Sequence, residues 1–425
     1  MLTEQTAEAY LAILKEELIP ATGCTEPIAV AYAAAKMRKV LGREPEKILA
    51  EVSGNILKNV KSVVVPNTGG LKGLKAAVAA GAVAGDADSE LQVIAHVAEA
   101  QHAAIGEFLD RVPIQITCPE TARVLDICIT GWAGGTSALV HIVNSHTNIV
   151  RIEKDGKTLL EHASEDGGGG GETDRSVLNV ADILEFANTV DTARLAPLLD
   201  PQIELNTAIA REGMRGDWGA NIGSILLHAY GSDIKNEAKA WAAAGSDARM
   251  SGCEMPVCIV SGSGNQGMTA SLPVICYARH LNAPRETLYR ALAVSDLVTI
   301  HQKAGIGRLS AYCGAISAGT GAGAGIAYLL DGSYSAVAHT IVNAVAILSG
   351  TICDGAKPSC AAKIAAGVDA GILGYEMYCR HKEFCGGDGI VTEGVDNTIA
   401  NVGVLAREGM KQTDRTILEI MTREP

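Results

Sequence analysis

Aromatic residues are scarce in this 425-residue chain, with three phenylalanines, three tryptophans and ten tyrosines. That leaves little material for the stacking platforms that hold single-stranded nucleic acid. Positive charge is also in short supply: 35 Lys and Arg against 48 Asp and Glu give a net charge of −13. No run of basic residues offers a groove for nucleic acid or a patch for an anionic membrane. No signal-peptide pattern opens the sequence, since Met1 to Gln5 lead directly into an amphipathic helix. Eleven cysteines, an odd number, then imply a reducing cytoplasm in which thiols serve metals or catalysis, not structural disulfides.

Glycine and alanine are abundant instead, which favours closely packed helices and sites lined by backbone. The length suggests two or three domains. Three cysteines stand out, Cys313, Cys353 and Cys360, on small-residue helical sequence between Arg308 and Cys360. Cys353 and Cys360 bracket a Gly- and Pro-containing loop, and a helical hairpin turning at Asp331 and Gly332 would return Cys313 to the same end. Three thiolates so placed suit a cluster with one open iron. Buried core cysteines are the alternative.

Leu309 to Leu330 and Tyr334 to Cys353 carry no charged residue, so the hairpin also meets the length rule for membrane spans. Gly319, Gly321, Gly323 and Gly325 even form a small-residue seam. His339, Asn343 and the absence of basic flanks favour buried helices of a catalytic domain.

Along the chain, Glu4 to Glu17 places Ala7, Leu11, Leu14 and Leu18 on one face, and Pro27 opens a second Ala-rich helix. Cys24, just before it, sits where a helix dipole could stabilise a thiolate, making it a candidate base, nucleophile or ligand. From Lys47 the pattern becomes α+β. Strands are expected at 48–52, 62–65, 112–117, 124–130, 137–143 and 148–153, and helices at 69–84 and 91–109. His146 and Asn148 fall in a polar loop between strands. The glycines 167–171 form an acidic linker and not a phosphate loop, because neither strand nor lysine frames them. After Ser176 the chain reads as helix, with no second sheet required. Ser261, Ser263, Gly264, Asn265, Gln266 and Gly267 open one of these helices and make an anion pocket suited to a carboxylate.

The motifs Gly23-Cys24-Thr25-Glu26-Pro27, Asn55 with Lys58 and Asn59, His146-Thr147-Asn148, Ser261 to Gly267, Arg308-Leu309-Ser310 and the three spaced cysteines together resemble the bacterial and archaeal L-cysteine desulfidases. That group is related to the iron–sulfur L-serine dehydratases through a helical catalytic domain. The resemblance spans nearly the whole chain. It implies a [4Fe–4S] cluster on Cys313, Cys353 and Cys360, with Cys24 as fourth ligand or acting on substrate. It also implies conversion of L-cysteine to pyruvate, sulfide and ammonia without pyridoxal phosphate.

On this basis Cys24 is the first candidate for the base that removes the Cα proton, with Lys303 and His301 behind it. The substrate carboxylate would lie on Ser261 to Gly267, with Asn55, Lys58, Asn59, His146 and Asn148 closing over it. The expected fold is α+β: a mostly helical catalytic domain (1–44 and 176–425) with a smaller inserted α+β domain (45–165) containing a mixed sheet. The only partner expected is a small amino acid; nucleic acid and membrane are not, and a homodimer is compatible with the sequence. Two rivals remain: an iron–sulfur L-serine dehydratase, and a non-catalytic iron–sulfur or zinc protein.

Overall fold

A computed structural model describes residues 2–119, 121, 123–162, 173–307 and 310–423. The expected glycine linker at 167–171, with the domain boundary placed there, and Arg308 and Leu309 of one motif lie outside them. The fold is mixed α+β, with helices dominating and one six-stranded sheet.

In chain order the first half comprises α1 (Glu4–Glu17), β1 (Pro20–Thr22), α2 (Thr25–Leu41), β2 (Lys47–Val52), α3 (Gly54–Val60), α4 (Gly73–Ala84), α5 (Glu99–Arg111), β3 (Ile114–Thr117), β4 (Asp126–Ala133), β5 (Thr136–Val143), β6 (Ile149–Lys154) and β7 (Lys157–Glu161). The sheet runs β3-β2-β4-β5-β6-β7, parallel only between β2 and β3. Strands β2, β4 and β5 alternate buried and more exposed positions, so one face is free to take helices α2 and α4, as period-two patterning requires.

Val63 to Val65 do not form the expected strand. Both edges of β2 are already occupied, by β3 and β4, and Pro66 with the left-handed Asn67 turns the chain. Val63 and Val65 are buried as core instead.

The second half is α6 (Val180–Thr189), α7 (Thr192–Arg215), α8 (Ile222–Tyr230), α9 (Ile234–Met250), β8 (Pro256–Cys258), α10 (Gly264–His280), α11 (Arg285–Ile306), α12 (Gly314–Leu330), α13 (Tyr334–Leu348), α14 (Cys360–Tyr378), α15 (Val395–Val404) and α16 (Lys411–Thr422). One strand does occur here, against expectation: β8 pairs antiparallel with β1 and ties the segment before Cys24 to the segment before α10.

The apolar side chains gather into two large cores. One unites α1 with the helices from α6 onward, and the other unites α2, α3 and α4 with the sheet. Helices α1 and α2, expected as one hairpin of the helical part, therefore contribute to different cores, and Cys24 falls between them.

The uncharged hairpin is packed by its glycines. A Cβ on Gly319 would stand 2.3 Å from the Gly367 carbonyl carbon of α14, and one on Gly321 would stand 2.1 Å from Thr299 Oγ1 of α11. The seam thus serves two helices of the core at contact distances only glycine permits. No described helix is long and apolar enough to cross a membrane.

Candidate active site

A cavity of about 920 Å³ lies where the two cores meet. Four helices begin on its wall: Cys24 caps α2, Ser263 caps α10, Cys313 caps α12, and Cys360 is the first residue of α14. Each helix start carries backbone N–H groups without intrahelical partners and the positive end of a dipole. Four such ends around one space favour anionic contents, whether thiolate or carboxylate.

The hairpin brings its cysteines together through backbone pairing. Tyr312 and Ile352 form an isolated β-bridge. Cys313 N–H donates to Thr351 O at 3.0 Å, and Cys353 N–H donates to Ala311 O at 2.6 Å. The Cys313 thiol hydrogen-bonds Cys353, which raises Cys313 and lowers Cys353, helped by the nearby Lys58 charge. Within the pair, Cys353 is the one pulled toward thiolate. Cys360 reaches the same cavity from the loop that follows.

No three His, Cys, Asp or Glu side chains among the described residues are gathered tightly enough to hold a single metal ion. A lone zinc, bonded to sulfur at about 2.3 Å, needs that convergence. An iron–sulfur cluster takes each thiolate on a separate iron and accepts ligands spread around a cavity. Three cysteines around one space, two of them at helix starts, fit the cluster.

Cys24 departs from the reading made of it. Burial raises its thiol well above the usual range, and the Glu26 carboxylate adds to the effect, outweighing Arg249 nearby. The helix dipole does not prevail, so Cys24 is a protonated thiol donating to Glu26 Oε2 at 3.1 Å. Asn59 Nδ2 donates to the other Glu26 oxygen at 3.1 Å, and Thr25 Oγ1 joins Glu26 to the Gly262 carbonyl. Lys303 behaves oppositely: burial lowers its ammonium to about 8, and Nζ donates to Gly307 O at 2.6 Å.

Ser261, Ser263, Asn265, Gln266, Asn59 and His146 also line the cavity. Ser261 and Gly262 have φ of +49° and +75°, making the turn that leads into α10, whose first residues Asn265 and Gln266 lie on the wall. Gly264 and Gly267 do not line it. A Cβ on Gly264 would meet Arg249 Nε at 2.4 Å, and one on Gly267 would meet Cys258 O at 2.0 Å, so both are packing positions.

Four other expected residues also stand outside. His301 Nε2 is bonded to Asp396 at 2.8 Å; Lys58 is buried in an ion pair with Asp414; Asn148 Nδ2 donates to Val143 O; Asn55 is not on the wall. His301 and Lys58 are engaged by carboxylates that no local sequence window contains, Asn148 by a carbonyl five residues back, and Asn55 Oδ1 has no hydrogen-bond partner among the described residues.

Sequence reasoning missed Glu26, Arg249, Tyr312 and Arg407, all on the wall. Glu26 lay inside a motif already singled out. Arg249, a charge ending the alanine-rich α9, carried a signal in its odd company. Arg407 sits in a π-helical turn, Leu405–Gly409, and donates to Gly305 O; such turns often mark functional positions.

Residues 76–419 match the family model described as serine dehydratase alpha chain. The chain is similar along its length to several UPF0597 proteins. That of Desulfitobacterium hafniense is 58% identical over 98% of this chain and 97% of its own. Those of Lachnoclostridium phytofermentans and Treponema denticola are 51% and 45% identical, over 96% and 98% of this chain and 98% of each relative.

Proposed function

The chain belongs to the serine dehydratase alpha-chain family, a family of lyase-type enzymes, and on that premise we propose that it is an iron–sulfur lyase. Its substrate in this reading is L-cysteine, cleaved by β-elimination to pyruvate, hydrogen sulfide and ammonia. The observation that carries the reading is the meeting of Cys313, Cys353 and Cys360 around a cavity that also holds Lys303 and the start of α10.

Cys313, Cys353 and Cys360 would hold a [4Fe–4S] cluster, which would supply Lewis acidity toward the leaving sulfur, a soft ligand matched to iron. The protein's own groups do the rest. Lys303, held near 8 by burial, is partly neutral amine at pH 7 to 8 and accepts the Cα proton. The amides opening α10 hold the carboxylate. Glu26, fixed by Asn59 and Thr25, orients the Cys24 thiol on the same wall. Once the C–S bond breaks, the aminoacrylate leaves the cavity, tautomerises and loses ammonia to water.

The family description supports a second reading, dehydration of L-serine with the same proton abstraction and hydroxide as leaving group. The two are separated by anaerobic purification with iron reconstitution and parallel assays on L-cysteine and L-serine. Equal sulfide and pyruvate from L-cysteine, lost in Cys353→Ala, is the expected result. Pyruvate from L-serine alone overturns the cysteine assignment.

A further inference from the structure

Arg249 is a buried charge on the cavity wall that the mechanism above leaves without a task. It ends α9, is 4% exposed, and makes no ion pair among the described residues. Its recorded partners are neutral: Nη1 donates to Asn265 Oδ1 at 3.2 Å and Nη2 to Gly23 O at 2.9 Å. Nε has no hydrogen-bond partner. A guanidinium carries five donors and no acceptor, and burying one without an anion is costly. The fork lies beneath the start of α10, where a Cβ on Gly264 would come within 2.4 Å of Arg249 Nε, and the N-terminus of that helix makes the same demand for negative charge.

A second orphan stands on the same wall. Gln266, in the first turn of α10, is 4% exposed and lines the cavity, and its Oε1 accepts from no group. It lies against Gly314, where a Cβ would come within 2.7 Å of its amide. A buried amide oxygen with no donor calls for a ligand N–H.

We propose that Arg249 and Gln266 together read the head group of an α-amino acid: Arg249 and the first amides of α10 take the carboxylate, and Gln266 Oε1 takes the ammonium. The inference rests on the amino-acid lyase reading and adds to it. The pair is indifferent to the β-substituent, so it selects the class of substrate and leaves cysteine against serine to the cysteine end of the cavity. It assigns specificity to a residue on α9 that none of the sequence motifs includes.

The test uses calorimetric binding of L-alanine, propionate and ethylamine to the anaerobically reconstituted protein. These ligands carry both head-group charges, the carboxylate alone, or the ammonium alone, and none has a leaving group. Wild type should bind L-alanine at least about tenfold more tightly than either fragment. Arg249→Gln should cut the advantage of L-alanine over ethylamine several-fold, the α10 amides keeping part of it, and Gln266→Leu should bring L-alanine to within about twofold of propionate.

Should Arg249→Gln not fold, Arg249→Lys, which keeps the charge without the fork, is expected to weaken L-alanine several-fold while sparing ethylamine. Unchanged discrimination in the variants, or no preference for L-alanine in wild type, overturns the proposal. Turnover is measured alongside. A protein with the expected binding pattern that processes neither L-cysteine nor L-serine keeps the head-group assignment and sinks the lyase reading. One that turns over an amino acid with discrimination unaltered does the reverse.

Discussion

Cys313 and Cys353 are held side by side by two backbone hydrogen bonds, Cys313 N–H to Thr351 O at 3.0 Å and Cys353 N–H to Ala311 O at 2.6 Å. The bonds belong to the main chain and survive loss of either sulfur. Cys313→Ala and Cys353→Ala should therefore stay folded, with melting temperatures close to wild type, while the visible absorbance of the reconstituted protein and its turnover both disappear. A Cys313→Ala protein that kept both would refute the cluster cradle.

Cys24 tests whether the fourth cysteine is a ligand. Its proton points to Glu26 Oε2 at 3.1 Å, and burial keeps it on the sulfur. Cys24→Ala is expected to retain the absorbance of the anaerobic protein and to lower kcat, because it removes the thiol that Glu26 holds on the cavity wall. Loss of the absorbance together with activity would make Cys24 a ligand.

For Lys303 the sign follows from its lowered ammonium, near 8. The charged form cannot accept a proton, so kcat should rise with pH through about 8 and level above it. Lys303→Gln should lower kcat on the order of 10² to 10⁴-fold with little change in KM. A pH profile of wild type that stays flat between pH 6 and 9 would remove Lys303 from the role.

Asp296 offers a test of stability apart from catalysis. It is fully buried in α11, accepts from Gln202 Nε2 at 2.9 Å, and leaves its Oδ2 and Gln202 Oε1 both without partners. Burial raises its carboxyl from 3.8 to about 7, so the folded form holds a proton, able to bond Gln202 Oε1, that the unfolded form has lost. A raised carboxyl destabilises as pH climbs above the unfolded value. The loss grows from about pH 4 to about pH 7 and reaches on the order of 4 kcal/mol above that. Asp296→Asn can make the same two bonds without the titration. Its melting temperature should exceed wild type at pH 8 and approach it near pH 4; a difference independent of pH would count against the neutral acid.

Gly319→Ala probes the link from packing to site. Its Cβ would intrude to 2.3 Å on Gly367, forcing α12 from α14 at a cost of roughly 1–3 kcal/mol. These helices begin at the cysteine cavity, so cluster reconstitution should fall along with the melting temperature. Normal cluster content in a destabilised Gly319→Ala protein would show that the cradle does not depend on this contact.

Much of the fold follows from local pattern. The helix-period runs from Ser176 onward, the alternating strands from Val124 to Glu153 and the turn at Asp331 and Gly332 are each decided within a few residues, and the structure has them within a few positions. The return of Cys313 to Cys353 was legible for the same reason, because two helices of similar length joined by a tight turn must end together. The three cysteines and the start of α10 could accordingly be picked out beforehand.

Tertiary structure alone decided the rest. Occupation of both edges of β2, by β3 and β4, determined that Val63 to Val65 would not be a strand. Which distant carboxylate is near determined that Lys58 and His301 pair with Asp414 and Asp396 and stand off the cavity wall. Burial beside Glu26 reversed the protonation expected of Cys24, and the fold buried Arg249 on the cavity wall with neutral hydrogen-bond partners. Hydrophobic period and turn chemistry act between near neighbours and are written in order along the chain. Desolvation and charge pairing depend on what the folded chain brings alongside, and no residue carries that information by itself.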